Sequence, residues 1–187
     1  MRYTARMPNA LRKLWISPQD YLAAERLSEV RHEYVDGEVF AMVGASRRHA
    51  DIVANIGLAI RAAARRRGCD AYLNDVKVRV EPANAFYYPD VVATCAPGDD
   101  DPYVVHSPVL IVEVLSESTE AVDRREKRVN YQKIPSLREI VLVAQAERRV
   151  EIYRRQPDGW AAETVTGGDL LLESLDSLIS LDDLYAG

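Results

Sequence analysis

Two hydrophobic periods organise this chain. Between Ser46 and Arg67, Ile52, Ile56, Ala59, Ile60 and Ala63 recur at helical spacing, so the stretch reads as a long amphipathic helix. Ser46 is its N-cap, Gly68 its stop, and Arg61, Arg65, Arg66 and Arg67 mark its exposed end. Upstream, Ser17 and Pro18 open a shorter helix through Tyr21, Leu22 and Leu27. His32 to Val35 and Glu38 to Val43 flank Asp36-Gly37, the dipeptide favoured in two-residue hairpin turns.

The period then changes to two. From Cys69 to Val80, Val76, Val78 and Val80 alternate with Asp75, Lys77 and Arg79, which predicts one strand before a turn at Pro82 to Ala85. A further strand begins near Tyr87 and ends before the polar stretch Pro97 to Pro102, and an apolar strand starts at Val109. Ser118 or Thr119 caps a helix to about Ile134. Glu139 to Val143, Val150 to Arg154 and Trp160 to Val165 read as strands, the last two joined by the turn Gln156-Pro157-Asp158-Gly159. This order predicts an α/β or α+β domain with a mixed sheet flanked by helices.

With 187 residues, 48% of them hydrophobic, the chain suits one domain over 15–187 behind a loose basic leader, 1–14, that carries Arg2, Arg6, Arg12 and Lys13. A net charge of -5 argues against a molecule that binds nucleic acid with its whole surface and confines such contact to local basic patches. No apolar run reaches the length of a signal peptide or membrane span. Cys69 and Cys95 have no paired spacing, so neither a disulfide framework nor a cysteine zinc site is expected, and a cytoplasmic location fits.

Candidate chemistry lies in two acids. Glu113 interrupts the apolar run Val109-Leu110-Ile111-Val112-Glu113-Val114-Leu115, where an ionised carboxylate loses hydration worth several kcal/mol unless a cation or hydrogen bonds replace it. Asp90 follows Tyr88-Pro89. Two such carboxylates on neighbouring strands could hold Mg2+ while water and phosphate complete its shell, the ion activating water and neutralising charge on the phosphate. The alternative is an internal ion pair for Glu113 and a simple turn at Asp90. A four-residue hairpin would set Glu81 opposite Phe86 and Lys77 opposite Asp90, although a slip of one residue would turn Lys77 to the other face. Lys127, with Arg124, Asn130 and Tyr131 near one helical face, is the other cation. That basic helix, including Arg128, would suit a phosphodiester backbone or simply be a solvated charged face.

At these residues the sequence resembles the Uma-type family of the PD-(D/E)XK restriction-endonuclease-like superfamily. The likeness runs through Arg31-His32-Glu33-Tyr34-Val35-Asp36-Gly37-Glu38, the helix of His49, Tyr88-Pro89-Asp90, Glu113-Val114-Leu115-Ser116, Asp123 to Tyr131 and Glu139 to Val143. The resemblance implies a mixed central sheet flanked by helices and divalent-metal-dependent cleavage of DNA, with Asp90 and Glu113 as metal ligands. Glu33 is carried over as an additional acidic ligand, against a surface ion pair as the plainer reading. The superfamily's lysine two residues after the acid is absent, because Leu115 stands there; Lys127 is the first candidate for a displaced lysine and Lys77 the second. His49 fits the pattern too, as a cap, packing partner or base.

The expected function is therefore a Mg2+- or Mn2+-dependent endonuclease acting on DNA, with a homodimer suited to cutting both strands. Arg124 and Arg128 are the expected phosphate contacts. The alternative is a catalytically weak nuclease-fold module that binds nucleic acid or protein. A metal-independent glycosidase-like pair of carboxylates ranks last.

Overall fold

The computed structural model describes residues 15–116 and 120–187, so the leader and the Ser118 or Thr119 cap lie outside the described residues. Helix α1 (Pro18–Glu25) starts at Ser17, whose Oγ accepts the Asp20 N–H, and leads into the hairpin β1 (His32–Val35) and β2 (Glu38–Ala41). Asp36 and Gly37, at φ 45° and 93°, give the turn its two left-handed residues, which fits Asp-Gly. Helix α2 (Arg47–Arg66) is capped by Ser46 as expected. Ile52, Ile56 and Ile60 on it are fully buried, each contributing about 1.5–3 kcal/mol. Gly57 lets the helix approach Leu73, whose Cδ2 would lie 2.4 Å from any added Cβ.

The expected strand from Cys69 to Val80 is two strands in different sheets. β3 (Asp70–Leu73) ends at Asn74, which has φ 55°, and β4 (Lys77–Val80) resumes in the other sheet. A 3-10 turn at Glu81–Ala83 with Asn84 at φ 45° joins β4 to β5 (Ala85–Tyr87), which pairs Arg79 with Phe86 and Val80 with Ala85. The expected register is thus off by two, because the four-residue loop spans Glu81 to Asn84 and begins one residue earlier than Pro82 to Ala85, and Lys77 does not face Asp90. Val78 instead faces Tyr87, and Lys77 reaches Tyr88.

The chain continues through β6 (Val91–Thr94), β7 (Val104–Val105) and β8 (Pro108–Leu115). A helical segment follows, made of α3 (Glu120–Val122), a π-turn (Asp123–Lys127) and α4 (Arg128–Tyr131). β9 (Glu139–Ala144), β10 (Val150–Gln156) and β11 (Gly159–Val165) match the expected strands. Beyond Val165 lie elements that the hydrophobic pattern left unassigned: β12 (Asp169–Leu172), β13 (Ser177–Ser180) and α5 (Leu181–Leu184).

The strands form a five-stranded sheet, β2-β1-β5-β4-β7, a six-stranded sheet, β11-β10-β9-β8-β6-β3, and the hairpin β12-β13. Both larger sheets are mixed, since β8 runs parallel to β9 and β4 parallel to β7. One face of the six-stranded sheet, with Leu110, Val112, Val141 and Ile152, packs on α2 and the C-terminal hairpin. Its other face, with Val92, Ile111, Ile140 and Leu142, meets Val78, Val80, Ala85 and Tyr87 of the smaller sheet and Tyr131, Ile134 and Leu137. Glu113 alternates with the first set and so points toward the second, at the seam between the sheets. Among the described residues no helix is long and apolar enough to cross a membrane.

The two cysteines, which their spacing leaves unpaired, are joined in a disulfide. The reason is register: β3 and β6 pair Asp70 with Thr94, and the next position outward sets Cys69 beside Cys95. That adjacency cannot be seen in the spacing. The bond closes a separation of 26 residues, worth about 3.5 kcal/mol by loop closure. Reduction, or replacement of both cysteines by serine, is expected to lower the melting temperature by roughly 10 °C, measurable by calorimetry with and without dithiothreitol. An unchanged melting temperature would show that the bond does not constrain the unfolded chain.

Candidate active site

The ladder between β6 and β8 pairs Val91 with Val112, and one step further sets Asp90 opposite Glu113. Asp90 Oδ2 accepts the Val114 N–H at 2.7 Å, so the loop residue is fixed to the strand that carries the glutamate. His49, in the first turn of α2, brings Nε2 to 3.4 Å from the same oxygen. Its hydrogen bond to Asp90 raises its pKa above the ordinary imidazole value, against the opposing effect of burial. Asp90, Glu113, His49, Asp123 and Lys127 border one open cavity of about 1190 Å3.

Lys127 organises the inner wall. Its ammonium lies 2.7 Å from Glu33 Oε1, 3.3 Å from Asp123 Oδ1 and 3.5 Å from Glu113 Oε1, and its side chain is 8% exposed. Burial disfavours this charge, but Glu113, Glu33 and Asp123 outweigh it and hold the lysine pKa well above its usual range. Tyr131 donates to Glu113 Oε1 at 2.7 Å. Burial, and then the negative charges of Asp123, Asp90 and Glu33, push the Glu113 carboxyl well above its ordinary value despite the pull of Lys127. Both shifts report the same imbalance. Four carboxylates share, among the described residues, one buried ammonium and one imidazole.

The π-turn explains how Lys127 gets there. Arg128 N–H bonds to Asp123 C=O, five residues back, so the turn holds one residue more than an α-turn. Asp123 and Lys127, four apart, both face inward. On the following turn Tyr131 meets Glu113, and Asn130 donates to the Tyr87 hydroxyl at 2.6 Å.

The remaining candidates separate. Glu33 does not border the cavity; it is the closest acid to Lys127 and also accepts the Tyr88 N–H at 3.2 Å. Its neighbour is therefore a lysine from a distant helix rather than a nearby arginine. Lys77 lies on the opposite face of the smaller sheet, donating to the Tyr88 hydroxyl at 3.2 Å. Arg124 borders the cavity, but Glu151 holds it with two bonds of 2.7 and 2.8 Å, and Glu120 with a third at 2.6 Å. Arg128 donates to Arg124 C=O and stacks over Tyr153. Asp123 was not among the expected ligands, and its spacing four before Lys127 was the available signal.

A divalent ion fits the donor set. Asp90 and Glu113 offer hard carboxylate oxygens, and Asp123 Oδ1 is a buried acceptor without a hydrogen-bond donor among the described residues, the ammonium being near but outside bonding geometry. Among the described residues no group of three or more His, Cys, Asp and Glu side chains forms an ion cage.

Comparison with known proteins follows the same outline. The chain is 32% identical over 175 residues to the uncharacterized protein slr1290 of Synechocystis sp., spanning 92% of each chain. It is 27% identical over 162 residues to a second uncharacterized Synechocystis protein, sll1609, covering 84% of this chain and 92% of that one. A crystal structure from Anabaena variabilis, described as "a putative nuclease belonging to DUF820", superposes with a TM-score of 0.73 at 18% identity, covering 91% of this chain and 98% of that one. It shares the restriction-endonuclease-like fold. Residues 18–182 match the model of the Uma2 family, which carries the description "Putative restriction endonuclease", and the chain belongs to that family.

Proposed function

We propose that this protein is a divalent-metal-dependent endonuclease that hydrolyses DNA phosphodiester bonds in the cavity bordered by Asp90, Glu113 and Lys127. The observation that carries this reading is the charge imbalance: one buried ammonium and one imidazole among four carboxylates leave room for a dication. Asp90 and Glu113 would hold Mg2+ or Mn2+, with Asp123 as a third acid at the same wall. When bound, the ion supplies Lewis acidity toward a phosphate oxygen and lowers the pKa of water.

The chain's own groups do the rest. Val114 N–H and His49 orient Asp90, and Tyr131 orients Glu113. Lys127, placed by Glu33 and Asp123, presents a fixed positive charge where negative charge builds on the phosphorane and steadies the attacking water. Lys127 thus takes the role of the lysine missing at Leu115.

The test is cleavage of supercoiled and single-stranded DNA by purified protein with Mg2+ or Mn2+, and again with excess EDTA. Cutting is expected with either ion and none with the chelator, with recovery on adding metal back. Cutting that survives EDTA would overturn the metal-dependent reading. DNA binding without cutting, retained after Asp90→Ala, would favour a silent nuclease-fold module.

A further inference from the structure

A second polar network lies behind the acid cluster, on the α1 side of the smaller sheet. There Lys77 Nζ donates to the Tyr88 hydroxyl at 3.2 Å, and that hydroxyl donates to Glu25 Oε1 at 3.0 Å. Glu25 also accepts the His32 N–H at 2.8 Å, and its Oε2 lies 3.0 Å from His32 Nδ1. Lys77, Tyr88 and Glu25 are all buried. The ammonium thus reaches its carboxylate through a neutral phenol that uses both its donor and its acceptor capacity. Such a ring is held at its tip from two directions.

The same residue is held at its backbone. Tyr88 N–H bonds to Glu33 Oε1, the oxygen that also receives Lys127. Pro89 follows with a restricted φ, and Asp90 comes next, its carbonyl accepting the Asn74 N–H at 2.9 Å. Tyr88 therefore links a buried lysine and glutamate on one side of the sheet to two acids on the other.

We propose that Lys77, acting through the Tyr88 hydroxyl, is a positioning residue that sets Asp90 for metal binding and Glu33 for its contact with Lys127. This inference rests on the nuclease reading and assigns Lys77 a place behind the cavity rather than a contact with substrate. Outer residues that orient ligands typically alter metal affinity by about 10–100-fold when removed.

The experiment is calorimetric titration of the full chain with MnCl2, without DNA, alongside melting temperatures. Tyr88→Phe and Lys77→Met are expected to weaken Mn2+ binding by about 10–100-fold, whereas Lys77→Arg, which keeps a donor to the phenol, binds close to wild type. Arg79→Met is the control for mere destabilisation. Arg79 is buried on the same face but is bonded to Glu81 and Asn84, so its loss should lower the melting temperature and leave Mn2+ affinity intact. Should Lys77→Met fail to fold, Tyr88→Phe, which keeps the ring, decides the matter. Folded Tyr88→Phe with wild-type Mn2+ affinity overturns the positioning role and leaves the nuclease reading standing. Wild-type protein that binds no Mn2+ overturns both.

Discussion

Glu113→Gln is expected to lose metal-dependent DNA cleavage by about 1000-fold, some 4 kcal/mol of transition-state stabilisation, while gaining thermal stability. The two effects have one cause. The amide removes a negative charge from a cluster that holds more of them than Lys127 neutralises, and it still offers Tyr131 an acceptor oxygen. Relief of that repulsion is expected to stabilise the fold by about 1–2 kcal/mol, as when catalytic groups held at a cost are neutralised. Asp90→Asn should lose cleavage to the same extent, and its remaining side-chain oxygen can still accept the Val114 N–H. The measurements are initial cleavage rates with Mn2+ and melting temperatures of the same preparations. If Glu113→Gln cuts like wild type, the carboxylate is not a ligand and the metal site lies elsewhere.

Lys127→Met should fail in the opposite way, losing activity and stability together. Methionine leaves Glu33, Glu113 and Asp123 buried around an apolar side chain. Breaking one side of a buried ion pair typically costs about 3–5 kcal/mol, which for a chain of this size is roughly 10 °C in melting temperature. Cleavage should fall by about 100-fold to 1000-fold through loss of a preorganised positive charge. The double variant Lys127→Met/Glu113→Gln should recover part of the stability, with a coupling of about 1–3 kcal/mol, and none of the activity. An active Lys127→Met protein would assign the cation's role to another group.

Much of this site could be read from residue order because each element announced itself locally. Glu113 stood out as a charge inside an apolar run, Asp90 through Tyr88-Pro89, the hairpin through Asp36-Gly37 and α2 through its apolar stripe at helical spacing. The parts that escaped depend on contacts between distant segments. The break after Asn74 shows only as a change of phase, since Cys69, Ala71 and Leu73 pack on one core and Val76, Val78 and Val80 on the other, and a period of two by itself does not assign strands to sheets. Lys77 was misplaced by a loop that starts one residue early, at Glu81, and the Cys69–Cys95 bond by an unseen strand pairing. Asp123 lies in a run of charges that looks solvated until the helix docks and buries it. In the last part of the chain, Leu170, Leu172, Leu181 and Leu184 belong to elements of only four residues, too short for a period to show.

The π-turn makes the position of the site lysine a matter of counting as well as chemistry. Five residues from Asp123 to Lys127 span a turn that an α-helix would close with one fewer. Deleting a residue there would let the turn close as an ordinary α-turn, with Asn130 and Tyr131 kept near Tyr87 and Glu113 while the spacing from Asp123 to Lys127 shortens from four to three. Comparisons among relatives that score substitutions alone would overlook such a step, whereas the spacing between the strand acid and the helical lysine would record it.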